Sequence, residues 1–178
     1  MKPAPVTLPP HCTQRVGPVF AARVVGVTGG NPCGTGETAL LAEPLLGLIA
    51  SRECPGHVLL ETLDCVPEWV KAGRVIISGF HSPLEQQVLR SVLRRKGRAV
   101  KVLARGMTDY RPAPDEREPL AAGRMLVITA CPPEVRRTTR ATALTRNRLV
   151  LALADEMVVP YVAPDSPLAN LIEVNRHG

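Results

Sequence analysis

Short apolar runs rich in β-branched residues alternate along this chain with longer amphipathic stretches, and that alternation constrains the fold most. Residues 45–50 (LLGLIA), 74–79 (RVIISG), 99–103 and 125–129 are mostly apolar and five or six residues long. Runs of that length and hydrophobicity predict strands buried on both faces. Between them, residues 56–72 place Leu59, Leu63, Val66 and Val70 at helical spacing, and residues 83–96 do the same with Leu84, Val88 and Val92. Pro83 stands where a first helical turn tolerates proline, and Gly73 and Gly97 stand where helix ends favour glycine. Pro67 interrupts the first helix and is expected to kink it. Residues 112–122 read as a short, charged, proline-broken helix and 132–142 as a basic loop. A helix over 144–154, a fifth strand over 157–162 and a last helix over 167–173 complete the pattern. The sequence therefore predicts an α/β fold with three layers, a mainly parallel sheet and helices on both faces.

At 178 residues the chain is long enough for one buried core. Residues 1–18 contain Pro3, Pro5, Pro9, Pro10 and Pro18 and read as an extended, loosely ordered proline-rich arm. That leaves residues 19–178 as a single domain, opening with a β-prone run at 21–27. The glycine-rich segment GGNPCGTGET, Gly29 to Thr38, resembles a phosphate loop. A Walker A loop needs lysine after its last glycine, and here Thr35 follows Gly34, so a surface loop is expected. No apolar run is long enough to span a bilayer and no signal core opens the chain, so a cytoplasmic protein without a membrane partner is expected. The five cysteines, Cys12, Cys33, Cys54, Cys65 and Cys131, form no CxxC pair. Reduced, partly buried thiols are expected, with no metal site and no cofactor; the adjacent His11-Cys12 pair does not make a metal centre.

The formal net charge of +6 permits a polyanionic partner. Cations cluster at Arg90, Arg94, Arg95, Lys96, Arg98 and Lys101, and again at Arg136, Arg137, Arg140, Arg146 and Arg148. Aromatic residues are only 3% of the chain, so phosphates rather than stacked bases should carry most of any nucleic-acid affinity. Parallel sheets bind ligands at the carboxyl ends of their strands. The polar exits here are Ser51-Arg52, Ser78-Gly79-Phe80-His81, Arg105-Gly106 and the segment leading to Arg146-Asn147-Arg148. A helix starting at residue 144 would put Arg146, Asn147 and Arg148 in its first turn, where the helix dipole is positive and an arriving anion would relieve the repulsion. His81 and Glu85 lie one helical turn apart. They read either as an acid–base pair or, more commonly at a helix start, as a cap and a surface contact.

In order and spacing these motifs resemble the DprA/Smf DNA-processing family over roughly residues 20–170. Ala50-Ser51-Arg52 is similar to the family's G-S-R strand end, and Ser78-Gly79-Phe80-His81-Ser82-Pro83-Leu84-Glu85 to its SG-x-A-x-GID pattern. Lys101 to Met107 resembles AVLG-x-GLD, Cys131-Pro132-Pro133 the later proline pair, and the stretch from Ala143 to Asp155 the RNR helix. The departures are Glu85 in place of the GID aspartate, Ala143 in place of the phenylalanine before RNR, and Asp165-Ser166-Pro167-Leu168 without the SGS glycine. The resemblance implies a Rossmann-like core and non-enzymatic binding of single-stranded DNA in uptake, transformation or recombination, with a homodimer and a recombinase partner. It also implies that Arg52, Arg146 and Arg148 line a phosphate pocket with Asn147 holding the loop, and the strand order adds Gly79 and Arg105 as walls.

Two other classes stand beside that reading. A nucleotide-binding sensor or nucleotide-processing enzyme would use the same strand exits, with His81 and Glu85 as the candidates for chemistry. An oligomerising scaffold is the third, and no partner-docking stripe in the sequence supports it.

Overall fold

In a computed structural model, which describes residues 4–6 and 32–177, the apolar runs assemble into one seven-stranded sheet. Its strands are β1 (Ala4–Pro5), β2 (Cys33–Gly36), β3 (Leu45–Leu48), β4 (Val75–Ser78), β5 (Arg98–Leu103), β6 (Met125–Thr129) and β7 (Glu156–Val158). The helices are α1 (Gly56–Lys71), α2 (Pro83–Arg94), α3 (Pro114–Ala121), α4 (Arg140–Leu153) and α5 (Pro167–His177), with a 3-10 turn at Thr38–Ala42. The strand order is β1-β2-β6-β5-β4-β3-β7. The run from β6 through β7 is parallel, while β1 and β2 are antiparallel additions at the other edge.

Side chains alternate across each strand, so one apolar run feeds two cores. Val75, Ile77, Val100, Val102, Leu126 and Ile128 pack with Leu149, Val150 and Leu153 of α4 and with Leu40 and Leu41 of the 3-10 turn. Ile76, Ala99, Leu103, Met125 and Val127 pack on the opposite face with Val66 of α1, Val88 and Val92 of α2, and Leu120 of α3. This is the three-layer α/β fold expected. α1 ends at Gly73, whose φ of 70° is the left-handed geometry glycine supplies at a helix end. α2 opens with a capping box in which Ser82 and Glu85 each accept a backbone N–H from the other's position.

Some elements differ from the sequence expectation. Part of the glycine-rich segment is not a loop but β2, paired with β6 from Cys33 opposite Thr129 to Gly36 opposite Leu126. Its glycines permit close backbone approach: a Cβ on Gly34 would lie 2.8 Å from the Val127 carbonyl oxygen. Within the proline-rich arm, Ala4 and Pro5 form the edge strand β1, where a missing N–H is tolerated, and Val6 is buried in the core. α4 begins at Arg140, four residues earlier than predicted, capped by Thr139. β7 stops at Val158, before Pro160. α3 begins at Pro114, and α5 continues to His177. The remainder of the arm, the β-prone run at 21–27, the His11-Cys12 pair and Gly29 to Asn31 lie outside the described residues. Free thiols are found at half-buried Cys33 and Cys54, exposed Cys65 and buried Cys131. No helix among the described residues is long and apolar enough to cross a membrane.

Candidate nucleic-acid interface

The carboxyl ends of β3 and β4 are tied together by one buried carboxylate. Glu85 is 4% exposed. Its Oε2 accepts the Ala50 N–H at 2.9 Å, and its Oε1 accepts the N–H groups of His81 at 2.9 Å and Ser82 at 3.2 Å. Burial pushes the Glu85 carboxyl above its ordinary range, while these N–H bonds and the charge of Arg146 pull it back. Glu85 therefore bonds to the backbone of His81 rather than to its imidazole, and the pair is a cap. Ser82 is likewise occupied, its Oγ accepting the Glu85 N–H at 3.3 Å.

Around this clamp lies a cavity of about 400 Å³ whose lining includes Arg52, His81, Glu85, Thr139, Arg140 and Arg146. Arg52 Nη2 lies 2.9 Å from His81 Nε2. A guanidinium can only donate, so Nε2 accepts and the imidazole proton resides on Nδ1. Burial first, then the charges of Arg146 and Arg52, hold His81 below the ordinary imidazole value and favour its neutral form. Arg146 reaches the cavity from α4. It is 8% exposed, and its Nε donates to Asn147 Oδ1 at 3.2 Å. Its side chain lies across Gly79, where an added Cβ would sit 2.5 Å from Nε. Burial lowers the Arg146 pKa, the charge of Glu85 raises it, and Arg52 lowers it again. Among the described residues, neither Arg52 nor Arg146 forms an ion pair with a carboxylate.

The other residues singled out in the sequence have different surroundings. Ser51 Oγ accepts the Ala163 N–H at 2.8 Å, which fixes the chain after β7. Ser78 is fully buried, and its Oγ accepts the Phe80 N–H at 3.1 Å. Phe80 has a φ of 47°, a strained geometry for a bulky residue, and its ring is buried with α1 and α2. The Gly106 N–H donates to Val135 at 2.7 Å, packing the β5 exit onto the β6–α4 connection. Arg105 is absent from the cavity lining, and its charge acts on Tyr110 instead. Arg148, two residues beyond Arg146 on the helix, does not line the cavity either.

The first-turn placement of Arg146 and Arg148 is corrected. Arg146 lies in the second turn of α4, and the cation at the helix start is Arg140. Thr139 and Arg140 were not singled out as site residues, although Thr139-x-x-Thr142 is a readable cap signal: Thr139 Oγ1 accepts the Thr142 N–H at 3.2 Å.

A family model described as DNA recombination-mediator protein A matches residues 33–167, which takes in every wall of this cavity. The chain belongs to that family. Two solved structures share its fold. DNA processing protein A (DprA) from Streptococcus pneumoniae aligns with a TM-score of 0.67 at 20% identity, covering 82% of this chain and 51% of that one. The protein described in "Structural insights into the unique single-stranded DNA binding mode of DNA processing protein A from Helicobacter pylori" aligns with a TM-score of 0.72 at 18% identity, covering 98% and 78%. The chain thus spans about half the length of the S. pneumoniae family member. No curated protein matches the chain.

Proposed function

We propose that this family member binds single-stranded DNA, without catalysing a reaction, by seating a backbone phosphate among Arg52, His81, Arg140 and Arg146. The carrying observation is that Arg52 and Arg146 converge from two elements on one cavity and form no ion pair among the described residues. Two guanidinium groups in one cavity repel, the charge of Glu85 acting against this on Arg146, and a phosphate adds charge-assisted hydrogen bonds to both. The H. pylori protein of the same fold, described by its single-stranded DNA binding mode, supports that ligand over other polyanions. Ser51, Ser78, Gly79 and Phe80 act by shaping the strand exits, and Asn147 by orienting Arg146. Arg105, Gly106 and Arg148 lie outside the cavity lining and serve, in this reading, a longer stretch of the strand. A role in DNA uptake, transformation or recombination, as a homodimer and with a recombinase partner, fits the same ligand.

The non-catalytic reading is supported by how the polar groups are occupied. The His81 imidazole pairs with a guanidinium, the Glu85 carboxylate with backbone N–H groups, and the Ser82 hydroxyl with a cap. None is arranged as a nucleophile with its base. A cavity of about 400 Å³ also suits a mononucleotide, which favours a nucleotide sensor as the second reading. Retention of a labelled oligonucleotide at low salt tests the first reading, and Arg52→Ala should weaken it about tenfold whatever the sequence. A saturable thermal shift with mononucleotides and no oligonucleotide retention would favour the second.

A further inference from the structure

A second cavity, of about 390 Å³, lies against the β5–α3 connection and is lined in part by Thr35, Met107, Thr108, Tyr110, Arg111 and Arg117. The β6–α4 connection contacts residues of this cavity and supplies residues to the lining of the first. On one side Thr108 Oγ1 donates to the Pro133 carbonyl at 3.2 Å, and Arg136 pairs with Asp109 at 3.1 Å. On the other, Thr138, Thr139 and Arg140 line the phosphate cavity.

Tyr110 is the aromatic residue in the lining, and its ring is fixed in advance. Its hydroxyl donates to Glu116 Oε2 at 2.6 Å. Buried Glu116 also accepts Lys101 Nζ at 2.6 Å and the Ala113 N–H at 3.1 Å. Lys101 Nζ stands 5.6 Å from the ring centroid. Burial pushes the Glu116 carboxyl up, but the hydrogen bonds from Lys101 and Tyr110 bring it below its ordinary value. Burial, then the bond to Glu116, raises the Tyr110 phenol, so it stays protonated and donating. A ring immobilised this way loses little entropy when a ligand stacks on it. Arg111 and Arg117 are exposed and form no ion pair among the described residues. An aromatic ring, a thioether and two guanidinium groups lining one cavity suit a planar heteroaromatic ring that carries a phosphate.

Building on the DNA-binding reading above, we propose that this second cavity receives a nucleobase of the strand whose phosphate sits between Arg52 and Arg146, with Tyr110 as its stacking surface. The strand is then held at two kinds of contact, a phosphate in one cavity and a base in the other. Stacking on one aromatic ring discriminates weakly among bases, so the site tolerates sequence.

The test compares fluorescence anisotropy titrations of a labelled oligothymidine with those of an abasic strand of equal length. Wild-type protein should bind the abasic strand about tenfold more weakly, the scale of one stacked base. Tyr110→Leu should lose the same factor on oligothymidine and nothing further on the abasic strand. Tyr110→Phe keeps the ring but loses the hydroxyl bond to Glu116, so its oligothymidine affinity should fall between those of wild type and Tyr110→Leu. Equal binding of both strands by wild-type protein overturns the proposal, whatever the stability of the Leu variant. An equal loss on both strands by Tyr110→Leu overturns it too, since that marks a general defect. Arg52→Ala separates the two readings. If it leaves oligothymidine binding intact, the phosphate site fails; if it weakens binding while the wild-type protein ignores the missing bases, only the base site fails.

Discussion

Glu85 shows how one side chain sets the geometry of the cavity at the β3 and β4 exits. Its two oxygens accept three backbone N–H groups from the exits of β3 and β4, all at a position 4% exposed. Glu85→Ala leaves those donors without partners and should destabilise the fold by about 2–4 kcal/mol, read by denaturant unfolding. His81 carries a pH dependence. Its folded pKa lies below the ordinary value of 6.5 for an unfolded chain. The unfolded state therefore binds more protons as pH falls through that value, and stability declines with acid until the lower folded pKa is passed. His81→Gln should flatten that acid-side slope in thermal unfolding between about pH 7 and about pH 5. A bound phosphate has the opposite effect on the ring, because it favours imidazolium. DNA should thus bind more tightly as pH falls from about 8 to about 6, with proton uptake, and the variant should lose this trend. The sequence placed His81 and Glu85 one turn apart but left open whether they were a cap or an acid–base pair. That choice depends on where Ala50 lies, and Ala50 is distant in sequence.

At the scale of elements, two glycines at strand exits predict different outcomes. A Cβ on Gly79 meets the Arg146 side chain, at 2.5 Å from Nε and 2.6 Å from Cδ. A side chain can move aside, so Gly79→Ala should leave thermal stability nearly unchanged while weakening DNA binding by displacing Arg146. A Cβ on Gly106 lies 2.6 Å from the Pro132 carbonyl oxygen, and backbone yields less readily. Gly106→Ala should cost about 1–3 kcal/mol in denaturant unfolding. Strands β3 to β6 were legible because their runs are mostly apolar and bounded by turn residues. α4 was legible only in part. Its first turn, Arg140 to Ala143, is polar or small and carries no hydrophobic period, so periodicity located its apolar half and missed its start. That error put Arg146 in the first turn and suggested a dipole argument that suits Arg140 better. β2 was hidden for the converse reason. Its glycines resemble a phosphate loop, and only pairing with β6, some ninety residues away, makes them a strand.

For the whole molecule, sheet topology gathers the cations. β3, β4 and α4 are separate in the chain, yet parallel pairing of β3 with β4 and the packing of α4 across the sheet bring Arg52, His81 and Arg146 to one cavity. The alternation of strands and helices was enough to predict that such an exit surface exists. It was not enough to exclude Arg105, which reads from sequence as a wall of the Arg146 pocket but lines neither cavity. The β6–α4 connection packs against Gly106 beside that residue, and no local pattern encodes its path. The most direct test of the central claim is the salt dependence of single-stranded DNA affinity for wild type, Arg52→Ala and Arg146→Ala, each first shown to be folded by thermal unfolding. Logarithmic affinity should fall linearly with logarithmic salt, with a slope of about −0.7 per phosphate contacted, and each variant should bind more weakly with a shallower slope. Affinities and slopes that match wild type in both folded variants would contradict a phosphate seated between these two arginines.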